Sequence, residues 1–279
     1  MCLTNIIAYN FGFVDSTTAL GDERESMVLA EGVIQRVSFG YPASSDLATH
    51  IMYLILDYWI IKNGFFRLID YILVSCLLYF VVFSCDSRQP AVCILLITIF
   101  AFLINCKKLK GKVPGKIMGA CLILSIPLFF IIMLVVTMSY DESNSDWIAA
   151  NIILSGRLGY GLEAIQEYGV HFFGQQIQFV GAGFDNIIDK YNYVDSGYLQ
   201  MLLLWGGAVM LICLGSFVKI ARDSYKRVDM VLLLSLFISS VSTLTTQFLF
   251  YPNYCILILA LTASYKQNFH IGLSPLRDS

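Results

Sequence analysis

The chain has 279 residues, 57% hydrophobic and only 14% charged, and its mean hydropathy is +0.71. A water-soluble domain of this size does not need so much apolar surface, so composition points to the lipid bilayer as solvent and partner. The formal net charge of −2 argues against a nucleic acid as partner.

Crossing roughly 30 Å of hydrocarbon takes about 20 apolar residues, fewer where polar ends snorkel. In chain order, residues 1–47 read as an external N-terminal loop with an acidic run, 22-DERE-25, and no signal-peptide pattern. Four transmembrane helices are predicted within 48–138, at 48–62, 67–84, 90–106 and 117–138. A large external loop follows at 139–196. Two to three more spans occupy 197–266, at 197–218, 229–248 and 251–266, and 267–279 forms a cytoplasmic tail. The last two spans form either a hairpin at 251-YPNY-254, where Pro252 cannot continue a helix, or one broken segment. The expected fold is therefore all-α: a polytopic membrane protein of about seven spans. The eight cysteines lie in or beside apolar runs without metal-site spacing and read as packing residues.

Basic residues set the orientation. With 107-KKLKGKVPGK-116 in the cytoplasm, Lys62, Arg67, Lys219, Arg222, Lys226, Arg227, Lys266 and Arg277 fall on the same side. The other five, Arg24, Arg36, Arg88, Arg157 and Lys190, fall outside. Arg36, Arg88 and Arg157 thus converge on one face of the membrane from distant parts of the chain. A guanidinium binds phosphate oxygens bidentately and keeps its charge, so the three make a candidate diphosphate site. Pairing of each with a nearby acid or a lipid headgroup is the plainer alternative.

Within the loop, Leu158, Leu162 and Ile165 repeat at helical spacing, predicting an amphipathic helix over 156–168 with Ser155 as N-cap. Arg157, Gly161, Ala164 and Tyr168 share a second face, and Glu163 and Glu167 stand one turn apart. Such a helix can also simply lie on headgroups with its polar side solvated. In the first span, His50, Tyr53 and Asp57 fall on one face at i, i+3, i+7, as residues lining a polar cavity would. The plainer reading puts His50 at one interface and turns Asp57 toward Lys62 at the other.

Four motifs in order, 36-RVSFGYP-42, 87-SR-88, 155-SGRL-158 with 173-FG-174, and 195-DSGYLQMLLLWGG-207, resemble those of the Wzy-type polysaccharide repeat-unit polymerases. These belong to the superfamily that includes the O-antigen ligases, and the resemblance covers roughly residues 33–265. Two departures stand out. Many members carry His-Asn where this chain has Asp195-Ser196, and most have ten or more spans. The chain is therefore expected to lack several N-terminal spans, and could be inactive alone.

The resemblance implies glycosyl transfer on the outer side of the bacterial cytoplasmic membrane. A glycan would leave its undecaprenyl diphosphate carrier and join an incoming undecaprenyl-diphosphate-linked oligosaccharide, yielding capsular, exo- or O-antigen polysaccharide. No external Asp-x-Asp is present, so no metal or other cofactor is expected and the arginines would stabilise the leaving diphosphate. Asp195, Glu163, Glu167 and His171 are the candidates for the base that activates the acceptor hydroxyl. A flippase and a chain-length regulator of the same pathway would be further partners. The alternatives are a ligase using the same donor with another acceptor, or a non-enzymatic transporter of lipid-linked sugars, which the 139–196 loop disfavours.

Overall fold

The computed structural model describes residues 44–106, 115–179 and 193–247. Arg36, the span expected at 251–266 and its hairpin lie outside the described residues. All regular structure among those residues is helical. The helices are α1 (Ser44–Ile61), α2 (Leu68–Phe83), α3 (Arg88–Asn105), α4 (Lys116–Ile123), α5 (Ser125–Met138), α6 (Ser145–Ile153), α7 (Arg157–Tyr168), α8 (Gly197–Lys226) and α9 (Met230–Ser242).

Two of them, α3 and α8, are long and apolar enough to cross a membrane, or three spans in all if the bent pair α4–α5 counts as one. That is fewer than the seven expected. Helices α2 and α9 are apolar but short, and the last expected span lies outside the described residues. Large apolar side chains point outward, among them Leu68, Ile117, Leu211 and Ile212, each more than 60% exposed. A surface of this kind is uncommon on a water-soluble monomer and agrees with membrane association.

The run expected as one span at 117–138 bends by 63° between α4 and α5. Pro127 explains the place. It has no N–H for the carbonyl of Ile123, and its ring crowds that carbonyl, so the first helix stops at Ile123.

Helix α9 sits at the centre, packed against α1, α3, α4, α5 and α8. Leucines and serines alternate around it, and Leu233, Leu236, Ser235, Ser239 and Ser240 are all buried. Ser235 and Ser240 donate to Val231 O (2.7 Å) and Phe237 O (2.6 Å), and Thr243 donates to Ser239 O (2.7 Å). Bonding back to the helix's own carbonyls lets these hydroxyls be buried without partners on other helices.

Helix α8 is broken at Gly206, whose φ of 83° and ψ of 172° lie in a region open essentially to glycine alone. The break frees backbone groups, and the loop segment His171–Gln175 meets them. Gly207 N–H donates to His171 O (3.1 Å), Ala208 N–H to Phe172 O (2.9 Å), and Leu204 O accepts from Gln175 N–H (3.0 Å). The approach is so close that a Cβ on Gly174 would collide with the backbone of Leu204 and Trp205.

The bundle has two distinct ends. At one, the α1–α2 turn packs Gly64 against Val231 and Ile104, Asn105 donates to Phe66 O, and Gly119 meets the Tyr225 ring. Lys62, Arg67, Lys116, Lys226 and Arg227 lie in these segments. There Asp70 accepts from Tyr58 Oη (2.7 Å) and from Arg67 N–H (2.7 Å), closing the start of α2, while Lys62 Nζ sits 5.2 Å from the Tyr58 ring centre. At the other end, the first residues of α8 meet the end of α9, with Gly197 N–H donating to Thr243 O (3.0 Å). Arg88 and Arg157 belong to this second end, which α3 enters at its N-terminus and α7 covers.

Candidate functional site

Helix α7 runs from Arg157 to Tyr168, close to the bounds its periodicity predicts. Its start differs from expectation. Ser155 is not the N-cap: it takes a left-handed conformation (φ 56°), and the cap position falls on Gly156 (φ 81°), which has no side chain to offer. The capping acceptor comes instead from α6, a helix the sequence did not announce. Asn151 Oδ1 accepts from the N–H groups of Leu158 (3.0 Å) and Gly159 (3.2 Å), and Asn151 Nδ2 donates to Tyr140 Oη (3.1 Å). The main-chain carbonyl of Asn151 also accepts from Gly156 N–H (2.8 Å). Helices α6 and α7 are thereby locked into a tight corner with Arg157 at its tip.

From that tip Arg157 Nη1 donates to Leu154 O (3.2 Å), and Arg157 Nε lies 3.1 Å from Asp195 Oδ2. The Nε–H does not point at the oxygen, so the two charges are paired by distance without an aligned hydrogen bond. The two residues stand at the beginning and the end of the segment linking α6 to α8, 38 positions apart in sequence. Asp195 keeps 32% of its side-chain surface accessible but is otherwise packed round by protein. That burial pushes its carboxyl above the usual carboxylate range, while the charge and proximity of Arg157 pull the other way.

Small residues allow α7 to approach. Leu158, Gly161 and Ala164 are buried, and a Cβ on Gly161 would lie 2.9 Å from Leu199 and 3.1 Å from Thr137. The buried face thus runs between the two predicted rows, through Leu158, Gly161 and Ala164, whereas Arg157 and Leu162 are only half-buried. Ser196, which follows Asp195, and Thr137, which faces Gly161, have hydroxyls buried without a hydrogen-bond partner among the described residues. Tyr198, also buried, donates to Ser240 O (2.9 Å).

The structure brings together only part of the predicted set. Arg157 and Asp195 meet. Glu163 and Glu167 are exposed on the side of α7 turned away from Leu199 and Thr137. The His171 side chain is exposed too, and it is the His171 carbonyl that has a structural task, in the break of α8. Arg88 is exposed on the first turn of α3, at the same end of the bundle as Arg157. Both arginines open a helix, where the dipole disfavours a cation and both favour an anion. In α1, Tyr53 is buried while His50 and Asp57 are half-buried. No group of three or more His, Cys, Asp or Glu able to hold a metal ion occurs among the described residues.

Sequence reasoning singled out Arg157 and Asp195 but not their pairing, and it missed Asn151 and Tyr140. Asn151 lies six positions before Arg157, outside any capping pattern, so no local signal marks it. Set beside known proteins, the chain matches no family model, no curated protein and no solved structure.

Proposed function

We propose that the protein joins undecaprenyl-diphosphate-linked oligosaccharide repeat units into a polysaccharide on the outer side of the bacterial cytoplasmic membrane, by glycosyl transfer without a metal. The observation that carries this reading is the Arg157–Asp195 pair, drawn from the two ends of one loop to the start of an apolar helix. Arg157 would stabilise the charge developing on the leaving diphosphate, with Arg88 and Arg36 supplying further guanidinium groups. Asp195 would accept the proton of the attacking sugar hydroxyl, and the burial that raises its pKa makes it a stronger base than a solvated carboxylate.

The reading requires the seven-span arrangement, with the Asp70 end of the bundle cytoplasmic and the Arg157 end external. Membranes holding the full-length protein, given radiolabelled lipid-linked repeat units, are expected to build a ladder of polymer. Release of the lipid diphosphate without polymer, and with label on a different acceptor, would favour the ligase reading. Movement of intact repeat units across the membrane without bond formation would overturn the enzyme reading altogether. A reporter placed after Lys112 should report cytoplasm and one near Ser143 the outside.

A further inference from the structure

We propose that Asn151 is a positioning residue: its side-chain amide fixes the corner from which Arg157 reaches an anionic diphosphate. The inference rests on the reading of Arg157 given above.

The corner is built almost wholly from Asn151. Its carbonyl oxygen Oδ1 serves the N–H groups of the second and third residues of α7, the place an N-cap side chain normally fills. Its Nδ2 is held by Tyr140 Oη, and Tyr140 is itself braced edge-on against Trp147, with ring centres 6.5 Å apart. A Cβ on Gly159 would come within 3.2 Å of Asn151 Nδ2, so a glycine at this position leaves the amide its place. Arg157 is the residue just before the two amides so held. Its N–H (3.3 Å) and its Nη1 (3.2 Å) both turn to Leu154 O, which fixes the direction in which the guanidinium leaves the backbone. A guanidinium is worth more than a point charge to a diphosphate only when its fork is aimed, and aim is what this corner supplies.

Asn151 also sets the electrostatics of the corner. By occupying the Leu158 and Gly159 donors with a neutral acceptor, it caps the helix without adding a carboxylate that would compete with an incoming anion for Arg157. An aspartate would cap as well but would repel the ligand.

The test uses the full-length protein in lipid nanodiscs with inorganic pyrophosphate as probe, reading both its affinity and hydrogen exchange at the Leu158 and Gly159 amides. Asn151→Ala is expected to speed exchange at those amides and weaken pyrophosphate about tenfold, the scale of a lost helix cap. Asn151→Asp should keep the amides protected and still bind pyrophosphate less well. Tyr140→Phe should weaken binding more mildly, by releasing Nδ2 alone. In an Arg157→Ala background, Asn151→Ala should cost no further affinity, since a residue acting through Arg157 has nothing left to act on. Faster exchange in Asn151→Ala with unchanged affinity would overturn the positioning role and leave the diphosphate reading standing. Unchanged affinity in Arg157→Ala itself would sink both. If Asn151→Ala fails to accumulate, Asn151→Asp and Tyr140→Phe decide: parental affinity in both overturns the proposal.

Discussion

Two carboxylates, at opposite ends of the bundle, hold opposite kinds of position. Asp70 is buried, with only 3% of it exposed, and Tyr58 Oη and the Arg67 N–H both donate to it. Both of its hydrogen bonds are short and aligned, and they serve to start α2. Asp195 is largely packed by protein but remains partly open, and Arg157 is close to it without being aimed at it. A carboxylate whose lone pairs are met by its own chain is spent on structure. One that is buried, charged and imperfectly met remains able to change partner or protonation state. Geometry thus marks Asp70 as a structural acid and sets Asp195, the proposed base, apart from it.

Substitutions can break or sharpen this contrast. The largest effect is expected from Asp195→Asn. It should lower polymer formation by about 10²–10⁴-fold, the contribution of a positioned base, while abundance in the membrane stays normal. In the parental protein, activity should fall as pH drops through the raised Asp195 pKa. The fold holds that proton more tightly than the unfolded chain does. The associated stability is therefore complete at low pH and lost as pH rises through the folded pKa, and Asp195→Asn should abolish that dependence. Melting curves across pH and initial rates across pH check both statements.

Arg157→Ala comes next, with a rate loss of about a hundred- to a thousandfold, typical of removing one preorganised donor from a developing anion. Arg157→Lys should recover little, because an ammonium lacks the fork. Asp70→Ala should behave in the opposite way. It leaves Tyr58 Oη and Arg67 N–H without their acceptor, so stability should drop by about 1–3 kcal/mol while the rate per folded molecule is kept. A rate defect in correctly folded Asp70→Ala would erase the distinction between the two acids. Smallest of all should be Glu163→Gln and Glu167→Gln, each changing the rate by less than about fivefold, as expected of solvated charges.

Much of the frame could be read from the chain, because composition and helical periodicity are local properties. The bounds of α7 and the all-helical class followed from them. Pro127 carried a legible warning of the bend before α5 that an apolar count alone passes over. The Gly206-Gly207 pair in α8 gave a weaker hint, since only the docked 171–175 segment makes the break tolerable. The site was legible as a set of residue types rather than as contacts. Arg157 joins Asp195 only through the corner at Asn151 and the return into α8, neither of which leaves a sequence pattern. Nor does periodicity show that α7 packs along the seam between its small-residue and leucine rows, through Leu158, Gly161 and Ala164.

The break in α8 has a bearing on how the protein can move. A glycine in mid-helix is commonly pictured as a swivel. Here the groups it releases are already taken by the main chain of residues 171, 172 and 175. With α8 across a bilayer, as proposed, no water is at hand to replace those bonds during a swing, and each would cost several kcal/mol to leave open. Gln175 Nε2 meanwhile grips the Tyr168 and Gly169 carbonyls at the foot of α7. Gly206 is thus a welded elbow rather than a joint. The loop helix and both halves of α8 must travel together as one body, and any opening that admits a substrate has to occur between that body and its neighbours.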